Sequence, residues 1–399
     1  MRFTGKILKL LVGIGLVNYT IFVIFWQLKG TMNLNTRVAR NQNNTALWKS
    51  NTSSTTLLTT TTTTTTLSTT TESVKDSKSY MNNVTTKRPE ATYIIEPRDI
   101  VEPYQMSDYN FKCQNYKREK VFEPSWTMVI FVKSKASNFD RRKVIRSTWG
   151  KYKVVGSVRL EKVFVLGKVE ETEIQTKIKL ENETNGDMLQ YTGPDDYRNM
   201  PLKISSAMQW AAHNLPPEFI YASTDDDFLL NFASALKLIQ QRIETRQQTK
   251  KLNLTETLKS LPIYCLYYKG DKTKPERNKG NKYYISEKEY STETYPPYCG
   301  GGFYTISVEM LRELHNLSRV TITLPMDDVW VTGLLRQKLG RGDDNIEIIQ
   351  PPKPVPKNKI IWKHFWGDYG KKQKNIPKML YDSWRAWEPE IASKPFCIR

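Results

Sequence analysis

The chain has 399 residues, with 60 Lys and Arg against 41 Asp and Glu, a formal charge of +19. Length allows one large domain with accessories or two to three domains, and the charge suits either a basic soluble surface or an anionic partner. The basic residues are dispersed in short runs such as Lys371-Lys372-Gln373-Lys374, with no zinc-finger spacing and no nucleic-acid-binding motif, so nucleic acid is not the expected partner.

Arg2, Lys6 and Lys9 precede an apolar run from Leu10 to Leu28. At ~1.5 Å per residue this run spans most of a ~30 Å hydrocarbon core. Lys29, Arg37 and Arg40 follow it, so flanking charge alone does not orient it. The run ends in Phe25-Trp26-Gln27 rather than small residues, which favours an uncleaved signal anchor over a cleavable signal peptide. Asn-x-Ser/Thr acceptors stand at Asn43, Asn51, Asn83, Asn182, Asn253 and Asn316, and Thr59 to Thr66 is an unbroken Thr run. With Cys113, Cys265, Cys299 and Cys397, none in a CxxC pair, these features favour a lumenal body with one or two disulfides of open connectivity. The expected organisation is a cytosolic tail 1–9, a transmembrane anchor 10–28, a Ser/Thr-rich disordered stem 29–123 and a folded domain 124–399.

Within that domain, Trp126 to Val132 is an apolar, β-rich run, as are Val163 to Leu166 and Glu218 to Ser223. Leu202, Ala207, Met208 and Ala211 share one helical face, with Pro201 in the first turn. Phe232, Ala235, Leu236, Ile239 and Ile243 repeat at helical spacing behind a capping Asn231. Strands alternating with helices predict an α/β domain with a largely parallel sheet.

Between the third strand and the second helix stand Asp225-Asp226-Asp227. Three adjacent like charges are unfavourable beside apolar neighbours unless something neutralises them. Side chains alternate along extended backbone, so Asp225 and Asp227 face one way and Asp226 another. A same-side carboxylate pair suits a hard divalent cation and, through it, a diphosphate; a solvated turn capping the next helix is the plain alternative. A second acidic pair, Asp327-Asp328, follows Pro325, and either member could act as general base or cap a helix. Cys299-Gly300-Gly301-Gly302 permits positive φ and close approach of backbone to a ligand.

Eight stretches in order, from about Trp126 to Gly333, together resemble the β-1,3-galactosyltransferase family of type II membrane glycosyltransferases. Arg141 to Gly150 (RRKVIRSTWG) resembles its RRxxIRxTWG block, Val163 to Gly167 its F-x-LG strand, and Gly186 to Leu189 its GDIL segment. Asp195 to Lys203 resembles DSYRNLTLK, Thr224 to Asp227 the TDDD metal site, and Lys282 to Ser286 KWYVS. Tyr295 to Gly302 resembles YPPYCSGG and Asp327 to Gly333 EDVYVTG. The chain departs from the family at Ser223, Pro201, Phe303 and Asp327, where Lys, Thr, Gly and Glu are usual; these positions bear on donor discrimination and acceptor choice.

The resemblance implies a GT-A type, Rossmann-like nucleotide-sugar-binding domain in the Golgi membrane. The implied chemistry is transfer of galactose from UDP-galactose to an acceptor 3-hydroxyl on a glycoprotein or glycolipid, with inversion. Asp225 and Asp227 would hold Mn²⁺, with His364 as the positional match for a supporting ligand and a packed aromatic-cluster histidine as its other reading. Asp225 and Asp226, with Arg142, Arg146 and Lys203, would bind or brace the UDP-sugar. Asp328 is the chosen base, with Asp327 as the alternative. A β-1,3-N-acetylglucosaminyltransferase shares these blocks; a membrane-tethered, non-catalytic glycan-binding protein would lack the need for two intact acidic clusters.

Overall fold

The computed structural model describes residues 87–101, 112–114, 124–266, 268–269, 273–349, 361–365 and 375–398, all within the unit Glu72–Arg399. The predicted anchor 10–28 and most of the predicted stem lie outside the described residues. Among the described residues no helix is long and apolar enough to cross a membrane.

In chain order the strands are β1 (Tyr93–Ile95), β2 (Lys112–Gln114), β3 (Trp126–Lys133), β4 (Tyr152–Val155), β5 (Val158–Lys168), β6 (Met188–Pro194), β7 (Ile220–Asp225) and β8 (Phe228–Leu230). They continue with β9 (Ile263–Cys265), β10 (Tyr268–Lys269), β11 (Tyr298–Cys299), β12 (Phe303–Ser307), β13 (Ile346–Ile348), β14 (Trp362–His364) and β15 (Phe396–Ile398). The longer helices are α1 (Phe139–Ser147), α2 (Thr172–Asn185), α3 (Met200–Asn214), α4 (Phe232–Lys250), α5 (Leu254–Lys259), α6 (Val308–Ser318) and α7 (Ile376–Ala392).

The main sheet runs β13-β9-β12-β7-β3-β5-β4-β15-β2, and the far end of β5 also pairs β6, which pairs β1. The centre is parallel: β3 pairs β5 and β7, and β5 pairs β6. Antiparallel β12, β4 and β15 flank it. The sheet is therefore mixed rather than largely parallel: β12 enters beside β7 in the antiparallel sense, and β4 and β15 are antiparallel at the other flank.

Every residue of β3 is buried, which explains why it reads as a continuous apolar run: both faces are covered. Met128, Ile130 and Val132 pack with α1, α4 and α7; Val129 and Phe131 pack with α3 and α6. The period-2 alternation of one strand thus feeds two apolar layers. The helical stripes expected on α3 and α4 face these layers, with Ala207, Met208, Ala211, Ile239 and Ile243 fully buried. The Asn231 side chain caps α4 by accepting from Ser234 N. Trp149 is core, 3% exposed, with its ring 4.8 Å from Phe232. Gly186 ends α2 at φ 65°, its N–H bonded to Asn182 O, a left-handed cap that favours glycine.

Two features lie inside the stretch predicted as disordered stem. Residues 92–95 dock on the body through β1 against β6, and β2 extends the sheet beside β15. Cys113 is disulfide-bonded to Cys397, and Cys265 to Cys299. Sequence alone concealed both segments because their partners are distant in the chain: Tyr93 pairs with Tyr191, and Cys113 with Cys397 at a separation of 284.

Candidate active site

The site sits beyond the carboxyl ends of the parallel strands β3 and β7, where open α/β sheets bind ligands. Lys133 ends β3 and lies in register with Asp225, which ends β7. The Lys133 ammonium is 3.0 Å from Asp225 Oδ1, 3.0 Å from Asp327 Oδ2, and donates to Gly301 O at 3.0 Å. Burial alone would lower its pKa; the Asp225 and Asp327 carboxylates outweigh that and raise it well above the ordinary value. One buried cation thus joins the two acidic clusters. Sequence reasoning missed Lys133; its signal was a single charge ending an otherwise apolar strand.

The triad divides as the alternation predicts. β8 pairs antiparallel with β14, placing His364 opposite Phe228, and Phe365 N donates to Asp227 O at 2.9 Å. This pairing brings His364 Nε2 to 3.2 Å from Asp227 Oδ1. One donor atom from each of Asp225, Asp227 and His364 falls within 4.8 Å of the others. Phe228 stacks on Trp362, and its edge meets the His364 ring at a centroid distance of 5.5 Å, so packing fixes the imidazole. Burial, with Asp227 and Asp327 nearby, pushes the Asp225 carboxyl up to about 6 against the opposing pull of Lys133.

Asp226 points elsewhere. It is 5% exposed, and its carboxylate accepts from Arg141 Nη1 at 2.9 Å, Ser134 Oγ at 2.7 Å and Asn138 Nδ2 at 2.9 Å. Its expected ligand contact is corrected accordingly: those bonds tie the triad to the start of α1. Arg141 also stands 3.6 Å from Asp227 Oδ2.

Across Lys133, Asp328 accepts from Gly301 N at 3.0 Å and from Val329 N at 2.8 Å. Burial pushes its carboxyl up to about 6, with the Asp327 charge adding to the rise. Asp328 is therefore both a cap of the π-helical segment Val329–Leu335 and a partly exposed carboxylate facing the site. Of the two uses the glycine loop permits, positive φ is not adopted at Gly300, Gly301 or Gly302. Close approach explains them instead. A Cβ at Gly301 would lie 3.2 Å from Lys133 Nζ, and one at Gly302 only 2.4 Å from the Phe228 ring. Phe228 is 1% exposed and cannot swing aside, so Gly302→Ala is expected to cost about 1–3 kcal/mol through overpacking. Thermal unfolding checks this, and an unchanged Tm would contradict it.

The three basic candidates lie behind the cluster. Arg142 is fully buried; it binds Glu181 in bidentate fashion and donates to Lys135 O and Ala136 O. Lys203, 2% exposed, pairs with Asp195 and donates to Ser134 O at 2.9 Å. Asp195 in turn accepts from Ala136 N and Gly167 N. Arg146 is held by Glu181 and by both oxygens of Asp187. Direct contact of Arg142 or Lys203 with a diphosphate is excluded by burial. Both brace the loop 134–136, whose Ser134 supports Asp226; Arg146 braces the end of α1 against α2 and the start of β6.

A family model described as galactosyltransferase matches residues 140–345, more than half of the chain and the span that holds both acidic clusters. The chain belongs to the galactosyltransferase family. Among the family's curated members, β-1,3-galactosyltransferase bre-5 of Caenorhabditis elegans is 32% identical over 213 residues, covering 52% of this chain and 60% of that one. UDP-GlcNAc:betaGal β-1,3-N-acetylglucosaminyltransferase 7 of Rattus norvegicus is 32% identical over 220 residues, 53% of this chain and 51% of that one. β-1,3-Galactosyltransferase brn of Drosophila melanogaster is 28% identical over 246 residues, 60% and 70% of the two chains. The match thus spans between half and two thirds of the first two relatives' length.

Proposed function

We propose that this family member is a GT-A type inverting glycosyltransferase that moves galactose from UDP-galactose to the 3-hydroxyl of an acceptor sugar on a glycoprotein or glycolipid. One observation carries the reading: Asp225, Asp227 and His364 converge, and Lys133 joins that cluster through Asp225 to Asp327, with Asp328 held beside it on Gly301. Two carboxylate oxygens and an imidazole nitrogen fit a divalent cation such as Mn²⁺. When bound, Mn²⁺ supplies positive charge that stabilises the departing UDP.

The remaining chemistry belongs to the chain. Asp328 takes the acceptor hydroxyl proton as that oxygen attacks the anomeric carbon. Its two backbone hydrogen bonds fix its orientation and leave lone pairs for the proton. Asp327 is tied to Lys133, which favours Asp328 as the base. Lys133 keeps the two clusters at fixed separation and limits their mutual repulsion.

The N-terminal apolar run and acceptor asparagines, together with two disulfides, support a single-pass type II protein of the Golgi membrane with a lumenal catalytic domain. A second reading, β-1,3-N-acetylglucosaminyl transfer, is favoured by the equal 32% identity of the worm and rat relatives. UDP release from UDP-galactose and UDP-N-acetylglucosamine, with mixed acceptors, Mn²⁺ or chelator, tests both. Asp227→Ala should fold normally and lose roughly 10²–10³-fold or more in turnover, the scale of losing one charge-stabilising group. Full activity in that variant would remove the metal assignment, and the preferred donor separates the two readings.

A further inference from the structure

We infer that Glu90, His213 and His315 form a second transition-metal site, distinct from the acidic cluster, that clamps the segment before β1 onto α3 and α6. One donor atom from each residue lies within 4.8 Å of the other two. One carboxylate oxygen with two imidazole nitrogens is a zinc-type donor set, completed to four by water.

The topology builds this site from three distant pieces of chain. His213 lies in the last turn of α3 and His315 in the last turn of α6, and their rings meet edge-on with centroids 5.5 Å apart. The segment carrying Glu90 is pinned by backbone bonds. Arg88 N donates to Arg319 O at 2.8 Å, and Ala91 N and O both bond the Gln209 side chain, at 2.7 and 2.9 Å. Arg319 also donates to Glu90 Oε1 at 2.6 Å, the kind of outer hydrogen bond that orients a ligating carboxylate.

His315 supplies the independent sign of a ligand. It is 3% exposed, and its buried Nδ1 has no hydrogen-bond partner among the described residues. A buried imidazole nitrogen left unsatisfied is costly. Tetrahedral zinc needs donors about 3.3 Å apart, as bond lengths of ~2.0–2.1 Å require. The contraction falls on Glu90 and His213, both exposed and able to swing, while buried His315 stays in place. The consequence is mechanical: the metal would fasten a segment predicted as stem to the folded body on the α3–α6 face.

The test uses the full chain in detergent carrying Asp227→Ala, so that the acidic cluster contributes no second cation. Co²⁺ replaces Zn²⁺, since its visible absorption reports tetrahedral nitrogen and oxygen ligands. One equivalent should bind with that spectrum and be displaced by Zn²⁺. Adding His213→Ala or Glu90→Gln should weaken binding beyond the ~10–100-fold that loss of an outer-shell partner costs. Zn²⁺ should raise the Tm of the parent but not of either variant. His213→Ala alone should keep the parent's metal-free Tm, because the residue is exposed. Absence of the Co²⁺ spectrum, or an identical spectrum and affinity in His213→Ala, would overturn the site; neither outcome touches the transferase reading, which rests on Asp227 and Asp328.

Discussion

Asp328→Asn lowers kcat/KM for sugar transfer by roughly 10²–10⁴-fold, the usual worth of a positioned general base, and at saturating Mn²⁺ removes the acid limb of the pH profile near 6. In the parent protein burial and Asp327 hold the Asp328 carboxyl at about 6. The base works as the carboxylate. Activity is therefore full above that value and falls as pH drops through about 6, when the proton occupies the lone pair that must accept the acceptor's hydrogen. Asp225 titrates in the same region, and its protonation also lowers activity by weakening cation binding. Saturating Mn²⁺ separates the two, because a bound cation competes with the proton at Asp225 and moves only that component to lower pH. A limb that survives in Asp328→Asn at saturating Mn²⁺ would assign the base to Asp327 instead.

Lys133→Met gives the second large effect. The ammonium is buried between Asp225 and Asp327, 3.0 Å from each. Breaking a buried ion pair by removing one partner costs about 3–5 kcal/mol. The Asp225 side chain is 30% exposed, so water offsets part of that loss and the lower end applies. For a domain of this size that is a Tm decrease on the order of 10 °C. The carboxylates would relieve their repulsion by taking up protons, so the acid limb of activity shifts to higher pH. Mn²⁺ should recover part of the lost stability by replacing positive charge near Asp225. Equal Tm and an unmoved limb in Lys133→Met would show that the bridge carries no weight.

The pattern of success across the site follows from how local each signal was. Asp225, Asp226 and Asp227 are adjacent, and the alternation of extended backbone was enough to separate the outer pair from the middle residue. Arg142 and Lys203 carried the right charge in the right blocks, yet both are buried against Glu181 and Asp195. Nothing in a charge pattern distinguishes a guanidinium that faces a ligand from one that holds a loop. Arg141, one position earlier, is the guanidinium that reaches the triad; a helix turns by about 100° per residue, so neighbours in sequence face different surroundings.

From the sequence alone came the central strands, the stripes of α3 and α4, both acidic clusters and the family resemblance. The strands, stripes and clusters depend on residues within one or two turns of chain, where period and adjacency are physical constraints in themselves, and the resemblance on eight such short stretches in order. Tertiary structure decided the rest: the antiparallel return of β12, the docking of residues 92–95, and the partners of each cysteine. It also brought His364 to Asp227 through the β8–β14 pairing and set Lys133 between two carboxylates that lie 102 positions apart in the chain, at Asp225 and Asp327. Burial and ion pairing arise only when distant segments meet, and only that meeting turns three repelling aspartates into a cluster with a cation at its back and an imidazole at its side.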